Sequence, residues 1–140
     1  MLEPIHLLIA GWECQGFFVV GKGAGFDDAR SWIFIDLLQI IQWAQRINPS
    51  MGYVLENSPA QFDTRSQILA DFAVIKHCLG SPLLIDVVQC GSYAHCLRNM
   101  WTNLVPLAIL EIALQHTHRP ISYYIAEILD PNTVCKPVLK

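Results

Sequence analysis

Charge is scarce in this sequence. Asp, Glu, Lys and Arg make up 15% of its 140 residues, against roughly a quarter in ordinary soluble domains. With 9 basic and 12 acidic side chains the net charge is −3. A free-standing nucleic-acid binder would usually carry a basic excess for its phosphate contacts, although a local patch is compatible with this total. Long apolar runs are also lacking: none reaches the ~20 residues of a membrane-spanning helix without interruption. The start, Met1-Leu2-Glu3-Pro4, has no basic n-region of the kind that opens a signal peptide, so an intracellular protein is expected. Closely spaced cysteine pairs are missing too. The five cysteines, at positions 14, 78, 90, 96 and 135, include no two-residue gap of a zinc knuckle or a dithiol redox site. Neither a disulfide framework nor a structural metal is expected, and no internal repeat is visible.

Apolar side chains are what the sequence does have. At 53% of the chain they support a real core within one domain. Combined with so little charge, they imply either unusually complete burial or an exposed apolar surface suited to a partner.

The patterning predicts an α/β order. Residues 5–10 read as a buried strand ended by Gly11, and residues 16–28 as a Gly-containing loop. Asp27 or Asp28 caps a helix over 29–46, with Ile33, Leu37, Leu38, Ile40, Ile41 and Ala44 on its apolar face and Asn48-Pro49 as its stop. A second strand covers 52–56. A second helix runs from Thr64 or Ser66 to Cys78, with Ile68, Leu69, Phe72, Ile75 and Leu79 on one side and Gly80 as its cap. A third strand covers 83–88. Residues 98–105 are expected as an outer strand, residues 107–114 as a short helix, and the remainder as loop. Strand–helix–strand alternation of this kind gathers working residues at the carboxyl ends of the strands. Cys14, Glu56 and Asp86 all fall there.

Cys14 follows the first strand at the mouth of a Gly-rich loop. Cysteines are often inert core residues, but this placement also suits a thiolate nucleophile supported by backbone N–H groups. Glu56 either is a solvated turn residue or, among apolar neighbours, is a proton donor. Asn57 is suited to holding a loop through side-chain to backbone bonds. Arg98 is either a surface arginine or a fixed guanidinium aimed at a carbonyl or phosphate. His95 beside Cys96 raises a Cys–His couple as a weaker alternative, which would need direct contact geometry.

Three blocks, in order, resemble the DNA cytosine-5 methyltransferases. Ala10-Gly11-Trp12-Glu13-Cys14-Gln15-Gly16-Phe17 is similar to the family's Gly-x-Pro-Cys-Gln-x-Phe-Ser, and Gly21, Gly25, Asp27-Asp28 and Arg30 continue it. Tyr53-Val54-Leu55-Glu56-Asn57-Ser58 is similar to the Glu-Asn-Val block. Residues 91–98 line up with Gly-Val-Pro-Gln-x-Arg-x-Arg. Together the blocks cover most of residues 6–105.

The resemblance implies a partial S-adenosylmethionine-dependent methyltransferase sheet, Rossmann-like, without the N-terminal cofactor-binding unit. Residues 1–105 would be the central part of the catalytic domain. Residues 106–140 would be a short extension, the remnant leading to a target-recognition region. Cys14 would attack C6 of a cytosine flipped out of DNA, Glu56 would bond near N3 and the amino group, and Arg98 would hold the base or its backbone. S-adenosylmethionine would give the methyl group to C5. For a eukaryotic source the site of action would be the nucleus.

The chain departs from the pattern at Glu13 for proline, Phe18 for serine, Ala94 for glutamine and Cys96 for the first arginine of the third block. With those departures and no Gly-rich fingerprint before the first strand, the chain is not expected to methylate alone. The alternatives are a non-catalytic methyltransferase-fold module whose exposed sheet edge takes a protein partner, and an unrelated thiol enzyme using Cys14 with His95.

Overall fold

Two helices lie over one face of a four-stranded mixed sheet, and the placement of the apolar residues decides which face. The computed structural model describes residues 3–12, 24–90, 92 and 95–117. In chain order the elements are β1 (Leu7–Gly11), α1 (Ile33–Ile47), β2 (Gly52–Asn57), α2 (Ser66–Leu79), β3 (Leu83–Asp86), β4 (Leu97–Thr102) and α3 (Leu107–Thr117). Short 3-10 turns at Gly25–Asp27, Ala29–Trp32, Ala60–Phe62 and Val87–Cys90 join them.

The sheet order is β1-β2-β4-β3. β1 and β2 are parallel, with Gly11 opposite Glu56, while β4 runs antiparallel to both β2 and β3. The expected outer strand is therefore an inner one. Local pattern does not reveal this, because β4 is placed by ladders to two strands distant in sequence. β3 is also shorter than expected, since Val87 and Val88 belong to a 3-10 turn.

Leu55 of β2 faces Trp101 of β4 across the ladder. Both join one buried cluster with Phe34, Leu37, Ile41 and Ala44 of α1 and Ile68, Phe72 and Ile75 of α2. The apolar face of α1 is thus set by Phe34, not by Ile33 and Ile40, which are exposed. The helix is entered through a 3-10 turn whose Asp28 side chain accepts from Arg30 N. Leu69, expected on the buried side of α2, is also exposed. Trp101 Nε1 donates to Gly80 O at 3.0 Å, tying β4 to the end of α2. Gly25 has φ +57°, and a Cβ there would fall 1.8 Å from Asp71 Oδ2, the oxygen that accepts from Phe26 N.

The other face of the sheet is less covered. β1 was expected to be buried, but only Leu8 and Ala10 pack on the core. Ile9 on the alternate face is 72% exposed, because successive strand residues point to opposite sides. Leu7 and Leu104 approach one another over Gly52, and α3 lies against β3 and the turn after it. Among the described residues no helix is long and apolar enough to cross a membrane.

Candidate functional site at the sheet edge

Because β4 is antiparallel to its neighbours, its amino end lies at the same edge as the carboxyl ends of β1, β2 and β3. That edge brings Glu56 and Arg98 together. Arg98 Nε donates to Glu56 Oε1 at 2.8 Å, and Arg98 Nη1 donates to Leu97 O at 2.8 Å. The guanidinium is held by a carboxylate and by a strand carbonyl. The enclosure expected for Glu56 is absent: its side chain is 41% exposed, since it points away from the helix-covered face that Leu55 occupies. At such exposure the pair contributes about 0–1 kcal/mol to stability, so its interest is geometric. Gly11 makes room for it, because a Cβ at Gly11 would come within 3.1 Å of Glu56 Oε2.

The neighbour of Glu56 faces the other way. Asn57 is 4% exposed. Its Nδ2 donates to Trp12 O at 2.9 Å, and its Oδ1 accepts from Ser58 N at 2.7 Å. Trp12 is itself buried, with its ring 5.2 Å from Phe34 and 5.5 Å from Trp101. Thus the chain leaving β1 is fixed to the end of β2 by a buried amide. Glu13 and Cys14 come next in sequence and lie outside the described residues, as do Phe18, Gly21, Gly91 and Ala94.

Two residues of this edge were not singled out by sequence reasoning. Gln61 Nε2 donates to Asn99 Oδ1 at 2.8 Å, and Asn99 Nδ2 donates to Gln61 Oε1 at 2.7 Å. Asn99 is fully buried. Its signal in the sequence is a polar residue two before Trp101, at an inward position of the strand.

His95 is engaged by a carboxylate. Its Nδ1 lies 2.6 Å from Asp86 Oδ2, while Asp86 Oδ1 accepts from Cys96 N at 3.0 Å and Val88 N at 3.3 Å. The His95 bond, with those two backbone N–H groups, holds the Asp86 carboxyl below its ordinary pKa against the opposing effect of burial. His95 Nδ1 is therefore occupied by a carboxylate, and the ring otherwise faces solvent. Among the described residues no group of three or more His, Cys, Asp or Glu side chains is arranged to hold a metal ion.

Against this geometry the comparisons with known proteins are specific but partial. No family model matches the chain. Over 55 residues it is 38% identical to the type II methyltransferase M.NgoBI of Neisseria gonorrhoeae, and equally to M.HpaII of Haemophilus parainfluenzae. The similarity is to type II methyltransferases. M.HgiCII of Herpetosiphon aurantiacus, another of that name, is 30% identical over 66 residues. These matches take in 39–46% of the chain but only 14–16% of the relatives' own length, so the chain corresponds to a small portion of each. The mixed α/β architecture with its four-stranded sheet is consistent with part of a methyltransferase-like fold. A groove of about 680 Å³ lined by Pro82, Leu83, Leu84, Gln89, Glu111, Leu114 and Gln115 includes neither Glu56 nor Arg98.

Proposed function

We propose that this chain is a central catalytic portion of a DNA cytosine-5 methyltransferase, with its sheet part of a Rossmann-like methyltransferase fold over residues 1–105 and a short extension over 106–140. The observation that carries the reading is the Glu56–Arg98 pair at the edge where Asn57 fastens the exit of β1. Cys14 follows Trp12 by two residues, a span of at most about 7 Å of backbone. Glu56, Arg98 and Trp12 belong to one edge, which supports assigning Cys14, two residues after Trp12, to the same site.

In this reading the Cys14 thiol loses its proton to solvent and Sγ forms a bond to C6 of an extruded cytosine. The C5–C6 double bond shifts to C4–C5, and the displaced electron pair arrives at N3. Glu56 relays a proton from solvent to N3, which makes addition to an aromatic ring feasible. Arg98 holds the base or its backbone by directed N–H donors. The product is an enamine, nucleophilic at C5. S-adenosylmethionine is the methyl source the reading implies. The roles proposed for this chain's own side chains run as far as the adduct.

The test uses a DNA duplex carrying one 2-pyrimidinone nucleotide opposite an abasic position. Lacking the 4-amino group, that base accepts a thiolate at C6 without a methyl donor. The chain is expected to form a denaturant-stable adduct that Cys14→Ser abolishes. Glu56→Ala should slow it by about 10²- to 10⁴-fold, the usual worth of a placed proton donor. An adduct rate indifferent to Glu56→Ala would refute the assignment.

A second reading, a non-catalytic module of the same fold that binds a protein partner, is favoured by one observation. Leu7 and Ile9 of β1, an end strand of the sheet, are 49% and 72% exposed, with no charged residue between them to deter strand addition. A chain that stays monomeric at high concentration in sedimentation would remove its motive.

A further inference from the structure

We infer that the Gln61–Asn99 amide pair is a positioning device for Arg98, setting the guanidinium against Glu56; this rests on the roles proposed for those two residues. The β2–β4 ladder ends at Asn57 opposite Asn99, one residue short of Arg98. Beyond that rung β2 gives way to Ser58-Pro59 and the Ala60–Phe62 turn. Arg98 is paired with Ile85 of β3 on its other side, but toward β2 no rung of the ladder reaches it. The paired amides occupy that place: Gln61 reaches from the turn after Glu56, and Asn99 directly follows Arg98.

The closure is reciprocal, each amide giving one N–H and receiving one. It fixes both the separation and the orientation of the turn and the strand. Amides bury at a cost that two apolar side chains would not incur, so filling space does not explain them. A directional pair does what apolar packing does not. A one-residue slip of β4 would turn Asn99 to the opposite face, separate the amides and move Arg98 off Glu56.

Two double variants test this. Gln61→Met with Asn99→Leu replaces the amides by apolar side chains of similar size. Gln61→Asn with Asn99→Gln exchanges the two amides and keeps their combined length. The local readout is the Arg98 Nε–H resonance, identified by its loss in Arg98→Lys, and its displacement on adding Glu56→Gln. The second readout is the rate and half-saturating DNA concentration of the 2-pyrimidinone adduct.

The apolar pair should fold with a denaturation midpoint near that of the parent chain. Its Arg98 signal should no longer respond to Glu56→Gln, and its adduct rate should fall by about 10- to 100-fold with unchanged half-saturation. The exchanged pair should restore both. The inference is overturned if the apolar pair keeps the Glu56-dependent displacement and the parent rate, or if the exchanged pair restores neither. Should the parent chain form no adduct while the resonance behaves as expected, the proposed function fails and the positioning role stands.

Discussion

Replacing Asn57 by Ala removes a side-chain amide that joins the end of β2 to the exit of β1. The magnitude follows from its two partners. Trp12 O loses its 2.9 Å bond and Ser58 N its 2.7 Å bond, and both residues are buried. A buried group left without a partner costs about 1–3 kcal/mol, so the two together should cost about 2–4 kcal/mol after partial relaxation. For a chain of this size each kcal/mol lowers the melting temperature by about 3–5 °C, which predicts a fall on the order of 10 °C. Urea denaturation followed by tryptophan fluorescence is suited to the measurement, because Trp12 and Trp101 are in ring contact beside the site. Asn57→Asp should be the worse of the two, since it sets a carboxylate against the Trp12 carbonyl. A loss below about 0.5 kcal/mol, the range of indifferent surface changes, would show that the amide fastens nothing and would refute the reasoning.

Other perturbations give equally definite expectations. Phe34→Ala empties a fully buried position and should cost about 3–5 kcal/mol in the same denaturation assay. Ile9→Lys alters a residue 72% exposed and should leave stability within about 0.5 kcal/mol while reducing self-association in sedimentation; a large destabilisation would mean that the residue is covered. Acid should also act through Asp63. Its carboxyl is lowered to about 2 by the Arg65 guanidinium and the Arg65 backbone N–H, so its contribution is present above the unfolded carboxylate pKa of about 3.9 and is lost as pH falls through about 2. Asp63→Asn should flatten that part of a stability–pH curve, and an unchanged slope between those values would contradict the assignment.

Much of the fold was legible because it is local. The apolar spacing of α1 and its stop at Asn48-Pro49, the brief β2 ending in Glu56-Asn57, and α2 with Gly80 behind it all follow from period and capping. The place of β4 was not legible. Residues 97–102 have an alternating pattern suited to an edge or an inner strand, and only pairing with β2 and β3 decides between them. The inward residue Phe34 was missed because Ile33 and Ile40 are equally apolar and flank the stripe of Leu37, Ile41 and Ala44, so the pattern does not show which border of the stripe is covered. At the site, Glu56 and Arg98 stood out by residue type and by resemblance, but their mutual ion pair depends on the strand order that local pattern left open. Asn57 was expected to bond a loop, and its amide does reach the Trp12 carbonyl. Gln61 and Asn99 were passed over because an amide in a short turn and one in an alternating strand both read as solvent-facing, until each is seen to satisfy the other.

The most direct test of the central claim is to locate the adduct. After reaction with the 2-pyrimidinone duplex, proteolysis and mass spectrometry assign the modified cysteine among positions 14, 78, 90, 96 and 135. Modification confined to Cys14, and lost in Cys14→Ser, is the predicted result. Modification at another cysteine, or an adduct that survives Cys14→Ser, would contradict the claim that this sheet edge serves cytosine addition through Cys14.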